Sequence, residues 1–372
     1  MAKGRVKLKD VAAAAGVHAS TVSRALDPKT RHLITDSLAE RITRIASELQ
    51  YRPNSIASSL RTQQSMTIGV LVPDITNMIF PPILRGIEDT LAQQGYVPII
   101  ANTDSDPVKE RTLMDIMRAR GVDGLILASA QRQDAAIVQA MEDGIPVVTV
   151  NRMIDDERVS YVINNETGGL ALAVDHIVEL GHRTVAHLAG PQRLSTGLFR
   201  YYGFCRAAKK HRLRKWRDLI GFAGAFNEES GREGCLELLD RGIPFTALIT
   251  ANDRLAIGAL QALSIRGIKV PEEVSVTGYN DMPFADMTTP PLTTVRIQTY
   301  EAGRRAAEII LERLGAERGT LPAVHEVLEV EMVPRQTTGP VPATINETIF
   351  GPRGDTPSAG RSADIAASET DR

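Results

Sequence analysis

From residue 67 onward the chain alternates short apolar runs with amphipathic stretches, and this alternation limits the fold more than any other feature of the sequence. The helical stretches are 83–94, 108–120, 167–180 and 254–266. Strands that are apolar on both faces and alternate with helices are typical of parallel sheets covered by helices on both sides. This part of the chain is therefore predicted to be α/β. The apolar runs are 67–72, 97–102, 124–128, 146–150, 161–164, 184–189, 247–251 and 274–278.

Polar residues follow several of these predicted strands. Asp74, Asn151 and Asn252 stand next to the ends of three different apolar runs. In open α/β sheets, ligands collect at the carboxyl ends of the strands. The sequence therefore predicts a receptor for a small molecule in this part of the chain.

The first sixty residues contain short helical segments and no strand-like run. In the segment 10–26, Val11 and Ala15 fall on one helical face, and Gly16 tolerates the positive φ of a turn. Val22 and Leu26 can then bury a second helix against the first. Residues 36–49 carry apolar side chains at helical spacing and predict a third helix. The pattern indicates a small all-α helix-turn-helix unit.

A helix-turn-helix unit places the start of its second helix in the major groove of DNA. Ala19 and Ser20 are therefore predicted to face base edges, and Arg24 to reach further along the groove. Thr21 and Ser23 carry hydroxyls suited to phosphate oxygens. The alternatives are that Ala19 and Ser20 only fill the helix surface and that Arg24 pairs with Asp27.

The charge distribution agrees with a DNA-binding end. Residues 1–61 hold eleven Lys and Arg against five Asp and Glu, whereas the whole chain has a net charge of -2. The first part thus carries six positive charges and the remainder eight negative ones. A basic end on an acidic body is typical of a protein that meets polyphosphate with one end only.

The segment after the third predicted helix is short. Pro53 ends the third helix, and Asn54 can cap a new one. A helix of this length is unstable alone, so it would form only when Ala57 and Leu60 pack against a second chain and DNA. Leu60 would then act as an apolar wedge in the minor groove. The alternative is a simple flexible linker.

Other classes of protein find little support. No catalytic signature such as Gly-x-Ser-x-Gly or a phosphate loop is present, and Cys205 and Cys235 lack the spacing of a zinc site. We therefore expect no enzyme activity, no metal and no cofactor. The chain lacks a run long enough for a membrane span and an apolar signal core, so we expect a cytoplasmic protein rather than an exported transport receptor. Residues 340–372 are predicted to be a disordered tail.

Taken together, these motifs resemble the lactose-repressor (LacI/GalR) family of bacterial transcriptional regulators from about Lys7 to Arg335. Several matches occur in the same order as in the family. They are Asp10-Val-Ala with Thr21-Val-Ser-Arg24, Tyr51-Arg-Pro-Asn54, Ala251-Asn-Asp253, Gly278-Tyr-Asn280-Asp281 and Pro291-Leu-Thr-Thr294.

The resemblance implies a homodimer whose paired heads read a pseudo-palindromic operator, with hinge helices that insert Leu60 at its centre. It implies a periplasmic-binding-protein-like domain of two Rossmann-like subdomains, with an effector in the cleft between them. The expected domains are 1–53 for DNA binding, 54–65 for the hinge, and 66–339 for the effector. Within the last, 66–165 and 295–325 form the N-subdomain, and 166–294 and 326–339 the C-subdomain.

The resemblance also implies which residues surround the effector. Many relatives carry Asp where this chain has Asn280, so a sugar, a small organic acid and an aromatic ligand all stay open. The implied effector contacts are Asp74, Phe80, Asn151, Arg152, Thr196, Arg200, Phe226, Asn252 and Asn280. Effector binding is expected to shift the N-subdomains across the dimer interface and so change the separation of the hinges, which either weakens or strengthens operator binding.

Overall fold

A computed structural model of the protein describes residues 6–27, 30–51, 64–317, 321–344 and 350–351. The chain forms two compact units, of which the first ends at Met66 and the second begins at Thr67.

The first unit is a three-helix head. It consists of α1 (Leu8–Ala15), α2 (Ala19–Leu26) and α3 (Asp36–Glu48). Gly16 makes the turn between α1 and α2 with a φ of 62°, as the sequence predicts. Val11, Val22 and Ile42, one from each helix, are fully buried at its centre.

The first sheet of the second unit has six strands in the order β11-β5-β4-β3-β1-β2, and all neighbours are parallel. Its helices are α4 (Phe80–Gln93), α5 (Pro107–Ala119), α6 (Ala135–Glu142) and α11 (Thr299–Gly315). The strands are β1 (Thr67–Val72), β2 (Val97–Asn102), β3 (Gly124–Leu127), β4 (Val147–Val150), β5 (Ser160–Asn164) and β11 (His325–Leu328).

The second sheet has four parallel strands in the order β7-β6-β8-β9. Leu248, Leu255 and Val276 belong to its fully buried core. The strands are β6 (Val185–Ala189), β7 (Ile220–Phe222), β8 (Ala247–Thr250) and β9 (Ser275–Thr277). The helices are α7 (Glu166–Glu179), α8 (Ser195–Lys210), α9 (Glu228–Asp240) and α10 (Asp253–Ile265).

The chain passes between the two sheets three times. It leaves the first sheet after β5, returns after β9, and leaves again after β11. After the last passage the chain lies beside the second sheet, where the backbone N–H of Val276 in β9 donates to the carbonyl of Thr337. A short antiparallel pair, β10 (Thr294–Arg296) and β12 (Glu331–Val333), lies on the second and third passages. The predicted α/β class with two Rossmann-like halves is confirmed.

Four strands escaped the sequence analysis, namely β7, β10, β11 and β12. Each has only three or four residues, and all four carry at least one exposed residue. The missed strand β11 shifts a predicted boundary. Because β11 pairs with β5, the first half of the second unit extends to Leu328 instead of ending near residue 325.

The end of the chain also departs from the prediction of a disordered tail over 340–372. The N–H of Val341 donates to the carbonyl of Leu180 at 3.0 Å, and the N–H of Gly351 donates to Leu239 at 2.8 Å. The ring of Phe350 packs edge-on against Phe245, with ring centroids 5.1 Å apart. Disorder was therefore wrong for 340–344 and 350–351, since backbone hydrogen bonds and the ring of Phe350 hold these residues. Residues 345–349 and 352–372 lie outside the described part.

Two glycines allow α4 and α11 to approach each other closely. A Cβ on Gly303 would lie 2.0 Å from the carbonyl oxygen of Ile83, and a Cβ on Gly86 would lie 2.2 Å from that of Tyr300. Both neighbours are backbone atoms, which cannot rotate away as a flexible side chain can. The helix pair therefore requires hydrogen at these positions.

We expect Gly303→Ala to destabilise the second unit by about 1–3 kcal/mol, the usual cost of overpacking. Urea unfolding followed by tryptophan fluorescence measures the change, since Trp216 is the only tryptophan. Gly315→Ala is the matched control on the same helix, because a Cβ there meets no atom within 4 Å. Equal stability of the two variants would contradict the close contact.

A carboxyl group is buried at the start of α5. Glu110 is 5% exposed. Burial, together with the neighbouring Asp134 carboxylate, raises the pKa of Glu110 to about 8, against the opposing charge of Arg152. The folded protein therefore keeps a proton that the unfolded chain releases above about pH 4.5. Between these two pH values unfolding releases a proton, so Glu110 lowers the stability as the pH rises.

We expect Glu110→Gln to reduce this loss, because an amide carries no proton to release. The melting temperature of the variant minus that of the original protein should increase from pH 5 to pH 8, over the window set by the raised pKa of Glu110. The exposed Glu237 provides the control, since Glu237→Gln makes the same chemical change at a carboxyl group that is not buried. A pH-independent difference for Glu110→Gln would refute the buried proton.

Candidate DNA interface and effector site

The helix α2 exposes two of the predicted DNA-contacting side chains to solvent. Ser20 and Arg24 are exposed, and Thr21 and Ser23 are half-buried. Ala19 is also half-buried and packs against the apolar core of the head. Ser20 and Arg24 are therefore the best placed of the five for contact with a partner, and Ala19 has a packing role as well.

His18 is a residue of this surface that the sequence analysis missed. It precedes α2, and its Nδ1 accepts a hydrogen bond from the backbone N–H of Ser20 at 3.3 Å. The same nitrogen lies 2.8 Å from the hydroxyl of Ser20. His18 thus caps the helix and orients Ser20. Its position directly before the first helical residue was the available signal.

The three hinge residues predicted to contact DNA, Asn54, Ala57 and Leu60, lie outside the described residues, as does most of the predicted hinge 54–65. Their contact with the minor groove stays a prediction.

On the first-sheet side of the candidate effector site, the residues after β4 are buried. Asn151 has a φ of 65°, and its Oδ1 makes no hydrogen bond within the described part of the chain. Arg152 donates from Nη1 to the carbonyl of Ser129 at 3.2 Å, while its Nε has no partner. Burial lowers the pKa of Arg152 to about 10, and the charge of Arg200 acts in the same direction. The two arginines are therefore close enough to repel each other.

Arg200 is the most firmly held residue of the predicted effector site. It is 2% exposed. Its Nε donates to Glu166 Oε2 at 2.5 Å, and its Nη1 donates to the carbonyl of Ala251 at 2.7 Å. Its guanidinium carbon lies 3.9 Å from the centre of the Tyr279 ring. These contacts fix the guanidinium in one orientation.

Buried polar atoms without a hydrogen-bond partner gather at the carboxyl ends of the strands. Each such atom costs about 1–3 kcal/mol if nothing binds it, so a cluster of them indicates a ligand site. A hydrogen bond of 3.0 Å from Met153 N to Ser195 Oγ joins the two halves of the second unit here. Of the eleven such atoms in the described residues, six belong to this region, namely Asn151 Oδ1, Arg152 Nε, Glu166 Oε1, Thr196 Oγ1, Tyr279 OH and Asn280 Oδ1.

Phe226 and Asn252 have different roles at the candidate effector site. The ring of Phe226 lies over Gly190, where a Cβ would come within 2.3 Å of it, and 5.9 Å from the guanidinium of Arg200. Asn252 caps α10, because its Oδ1 accepts from the N–H of Leu255 at 2.8 Å. Asn252 therefore has a structural role, and its amide nitrogen is the part left for a ligand.

Asp74 takes part in an ion pair between the two halves of the second unit. Arg254, on α10, lies 3.3 Å from Asp74, which follows β1, and 2.8 Å from Glu228, on α9. Phe80, at the start of α4, is 2% exposed and packs in the interior. The structure thus places Asp74 at a link between the halves.

Three residues of this region were absent from the predicted set, namely Glu166, Tyr279 and Arg254. Tyr279 stands inside the Gly278-Tyr-Asn280-Asp281 motif, so its neighbours gave a signal. Glu166 opens the first helix after the passage from β5, and nothing in its local sequence pairs it with Arg200.

The described residues contain neither a metal-binding cluster nor a membrane-spanning helix. No group of three or more His, Cys, Asp and Glu is arranged to hold a metal ion. No helix in that part of the chain is long and apolar enough to cross a membrane.

Comparison with known families matches both units. Residues 7–54 match the model of bacterial regulatory proteins of the lacI family, and residues 174–338 match a periplasmic binding protein-like domain. The transcriptional repressor CytR of Escherichia coli K12 is 30% identical over 336 residues, which cover 90% of this chain and 97% of that protein.

Solved structures agree with this assignment. A Lac repressor dimer bound to operator and the anti-inducer ONPF has a TM-score of 0.80 and 28% identity, covering 90% of this chain and 99% of that one. A LacI-family regulator from Enterococcus faecium with bound ribose has a TM-score of 0.64 and 32% identity, covering 74% and 99%. The chain belongs to the lacI family of bacterial regulatory proteins.

Proposed function

We propose that this protein represses transcription from a pseudo-palindromic operator and that a small molecule, bound between the halves of its second unit, controls its operator affinity. The observation that carries the proposal is the cluster of six unpartnered polar atoms at the strand ends in a chain that also has a helix-turn-helix head. The operator lies on the chromosome, so the proposed place of action is the bacterial cytoplasm, at the nucleoid.

The unpartnered atoms indicate the chemistry of the effector. The oxygens of Glu166, Asn151 and Asn280 only accept hydrogen bonds, whereas Arg152 Nε only donates. The hydroxyls of Thr196 and Tyr279 can do both. A ligand with several hydroxyl donors satisfies this set better than an anion, which brings acceptors alone. Phe226 adds a ring face for stacking on a sugar or a base. A neutral polyhydroxylated molecule, such as a pentose or a nucleoside, is therefore the proposed effector.

The ribose-bound relative from Enterococcus faecium supports this class. Arg152, a buried cation, is the one group of the set that favours a small organic acid instead. A thermal-shift screen of pentoses, hexoses, nucleosides, aromatics and organic acids tests the class. Stabilisation by hydroxylated compounds is expected, and stabilisation by acids alone would overturn the assignment.

An exposed apolar surface supports the homodimer. The edge strand β2 has Val97, Ile99 and Ile100 exposed, by 59%, 37% and 44%, and Ile116 on α5 is 44% exposed. An apolar edge strand left open to water promotes association. Two copies joined at this face would present two heads to two half-sites.

We expect Arg24→Ala to weaken binding to the operator more than binding to random DNA. Loss of a base contact costs about 1–3 kcal/mol, or roughly 5- to 150-fold in affinity. The operator is first selected from a randomised palindromic pool with the original protein, and binding is then titrated by fluorescence anisotropy. Arg44→Ala, which removes an exposed arginine of α3, should affect both DNAs alike. An equal loss on both DNAs for Arg24→Ala would remove this residue from the base contacts.

We expect Arg200→Ala to abolish the effector's influence on operator binding while operator affinity without effector stays unchanged. This substitution leaves Glu166 buried without its partner and can disturb folding, which would also abolish the response. A second variant therefore tests the site without removing a charge. Thr196→Val removes a hydroxyl without a protein partner, so the melting temperature should hold or rise while effector affinity falls about tenfold, the cost of one lost hydrogen bond. Unchanged effector affinity in both variants would place the effector elsewhere.

A further inference from the structure

A dense group of exposed cations lies at the end of α8 and in the connection to β7. The twelve residues 206–217 contain seven Lys and Arg and no Asp or Glu. All seven side chains are exposed, although the chain beyond residue 61 carries a net negative charge. We call this group the basic strip. It consists of Arg206, Lys209, Lys210, Arg212, Arg214, Lys215 and Arg217.

Contacts with the described residues account for two of the seven cations. Lys210 lies 3.3 Å from Asp175, and Arg217 stacks at 4.4 Å over the ring of Trp216. Within the described residues, the other five side chains make no ion pair or hydrogen bond. Neighbouring like charges repel each other, and an anionic partner would remove that cost.

Helix electrostatics explains only part of the strip. Cations are favoured in the last turn of a helix, which covers Lys209 and Lys210 at the end of α8. Arg212, Arg214 and Lys215 come after the helix and gain little from it. Their concentration requires another explanation.

The backbone holds this loop in an unusual shape. Arg212 and Lys215 have φ values of 51° and 50°, in the left-handed region where Gly and Asn are the common residues. Leu213 between them is 5% exposed and anchors the loop in the core. The loop thus presents cations at positions where a glycine would be less strained.

We propose that the basic strip binds the phosphate backbone of duplex DNA outside the operator. On α8, Tyr202, Arg206 and Lys209 follow one another at helical spacing, so their Cβ atoms lie about 5–6 Å apart on one face. A DNA backbone offers a regular row of charges that such a row of cations can neutralise.

The composition of the strip favours DNA over an acidic protein. Protein–DNA interfaces are much more positively charged than protein–protein interfaces, and the strip places seven cations and no carboxylate within twelve residues. Tyr202, 50% exposed, adds an aromatic side chain of the kind that contacts sugar and phosphate. Once the heads hold an operator, neighbouring duplex is present at a high effective concentration. The strip therefore adds a sequence-independent contact, on flanking DNA or on a second segment.

The test uses the full-length protein with its heads occupied by a short operator duplex selected as above. A labelled duplex of unrelated sequence is then added at several salt concentrations, and in a parallel arm the operator carries long flanks. The test variant combines Arg212→Gln, Arg214→Gln and Lys215→Gln. The control combines Arg111→Gln, Arg120→Gln and Lys269→Gln, three exposed cations elsewhere in the second unit, and thus changes the net charge equally.

We expect the original protein to bind the second duplex or to gain affinity from the flanks, with a steep salt dependence. The test variant should lose about tenfold or more in this binding, and its log–log salt slope should be shallower by about two to three. Its melting temperature and its affinity for the short operator should stay unchanged. The control should behave as the original protein does.

The proposal would be overturned if the original protein neither bound the second duplex nor gained affinity from the flanks. Equal losses of this binding in the test variant and in the control would also overturn it. Binding of polyglutamate in place of DNA, lost in the test variant, would also overturn it and assign the strip to an acidic protein. Neither result would affect the repressor function, which the heads and the effector site carry.

Discussion

The buried ion pair between Arg200 and Glu166 holds together the region that we propose binds the effector. Glu166 begins α7 where the chain arrives from the first sheet, Arg200 lies on α8, and the same guanidinium binds the carbonyl of Ala251 at the end of β8. Removing two charges from water is costly, and only good geometry with further hydrogen bonds offsets that cost. The pair therefore fixes three elements in one arrangement, and the unpartnered atoms around it gain defined positions from which to bind a ligand.

The second unit is built so that a ligand can influence how its halves are held together. The ion pair of Asp74 with Arg254 and the hydrogen bond from Met153 to Ser195 join the halves, and both lie next to residues of the candidate site. We propose that a molecule bound between the halves changes the free energy of these links. In a dimer with two heads, such a change alters operator affinity as a coupling free energy between distinct sites.

Local patterns in the sequence predicted the elements, whereas the pairing of distant side chains came only from the structure. Gly16 and the apolar spacing around it predicted the head, because a turn and two helices are specified within seventeen residues. Glu166 could not be paired with Arg200, since they are 34 positions apart.

Asn252 was predicted as an effector contact, but its oxygen caps a helix, a role that the same sequence permits. Residues 340–344 and 350–351 of the tail were misjudged because backbone hydrogen bonds and the ring of Phe350 hold them, and no apolar repeat announces such contacts. The basic strip can be identified in the sequence, but the sequence analysis considered only the net charge beyond residue 61, which is negative.

Reciprocal coupling between operator and effector tests the central claim most directly. Isothermal titration of the effector found in the screen into the free protein and into its operator complex gives two effector affinities, and operator titrations with and without effector give two operator affinities. The two ratios must agree and differ from one, because a coupling free energy acts equally in both directions. An effector that binds the free protein and the operator complex with the same affinity would contradict the account.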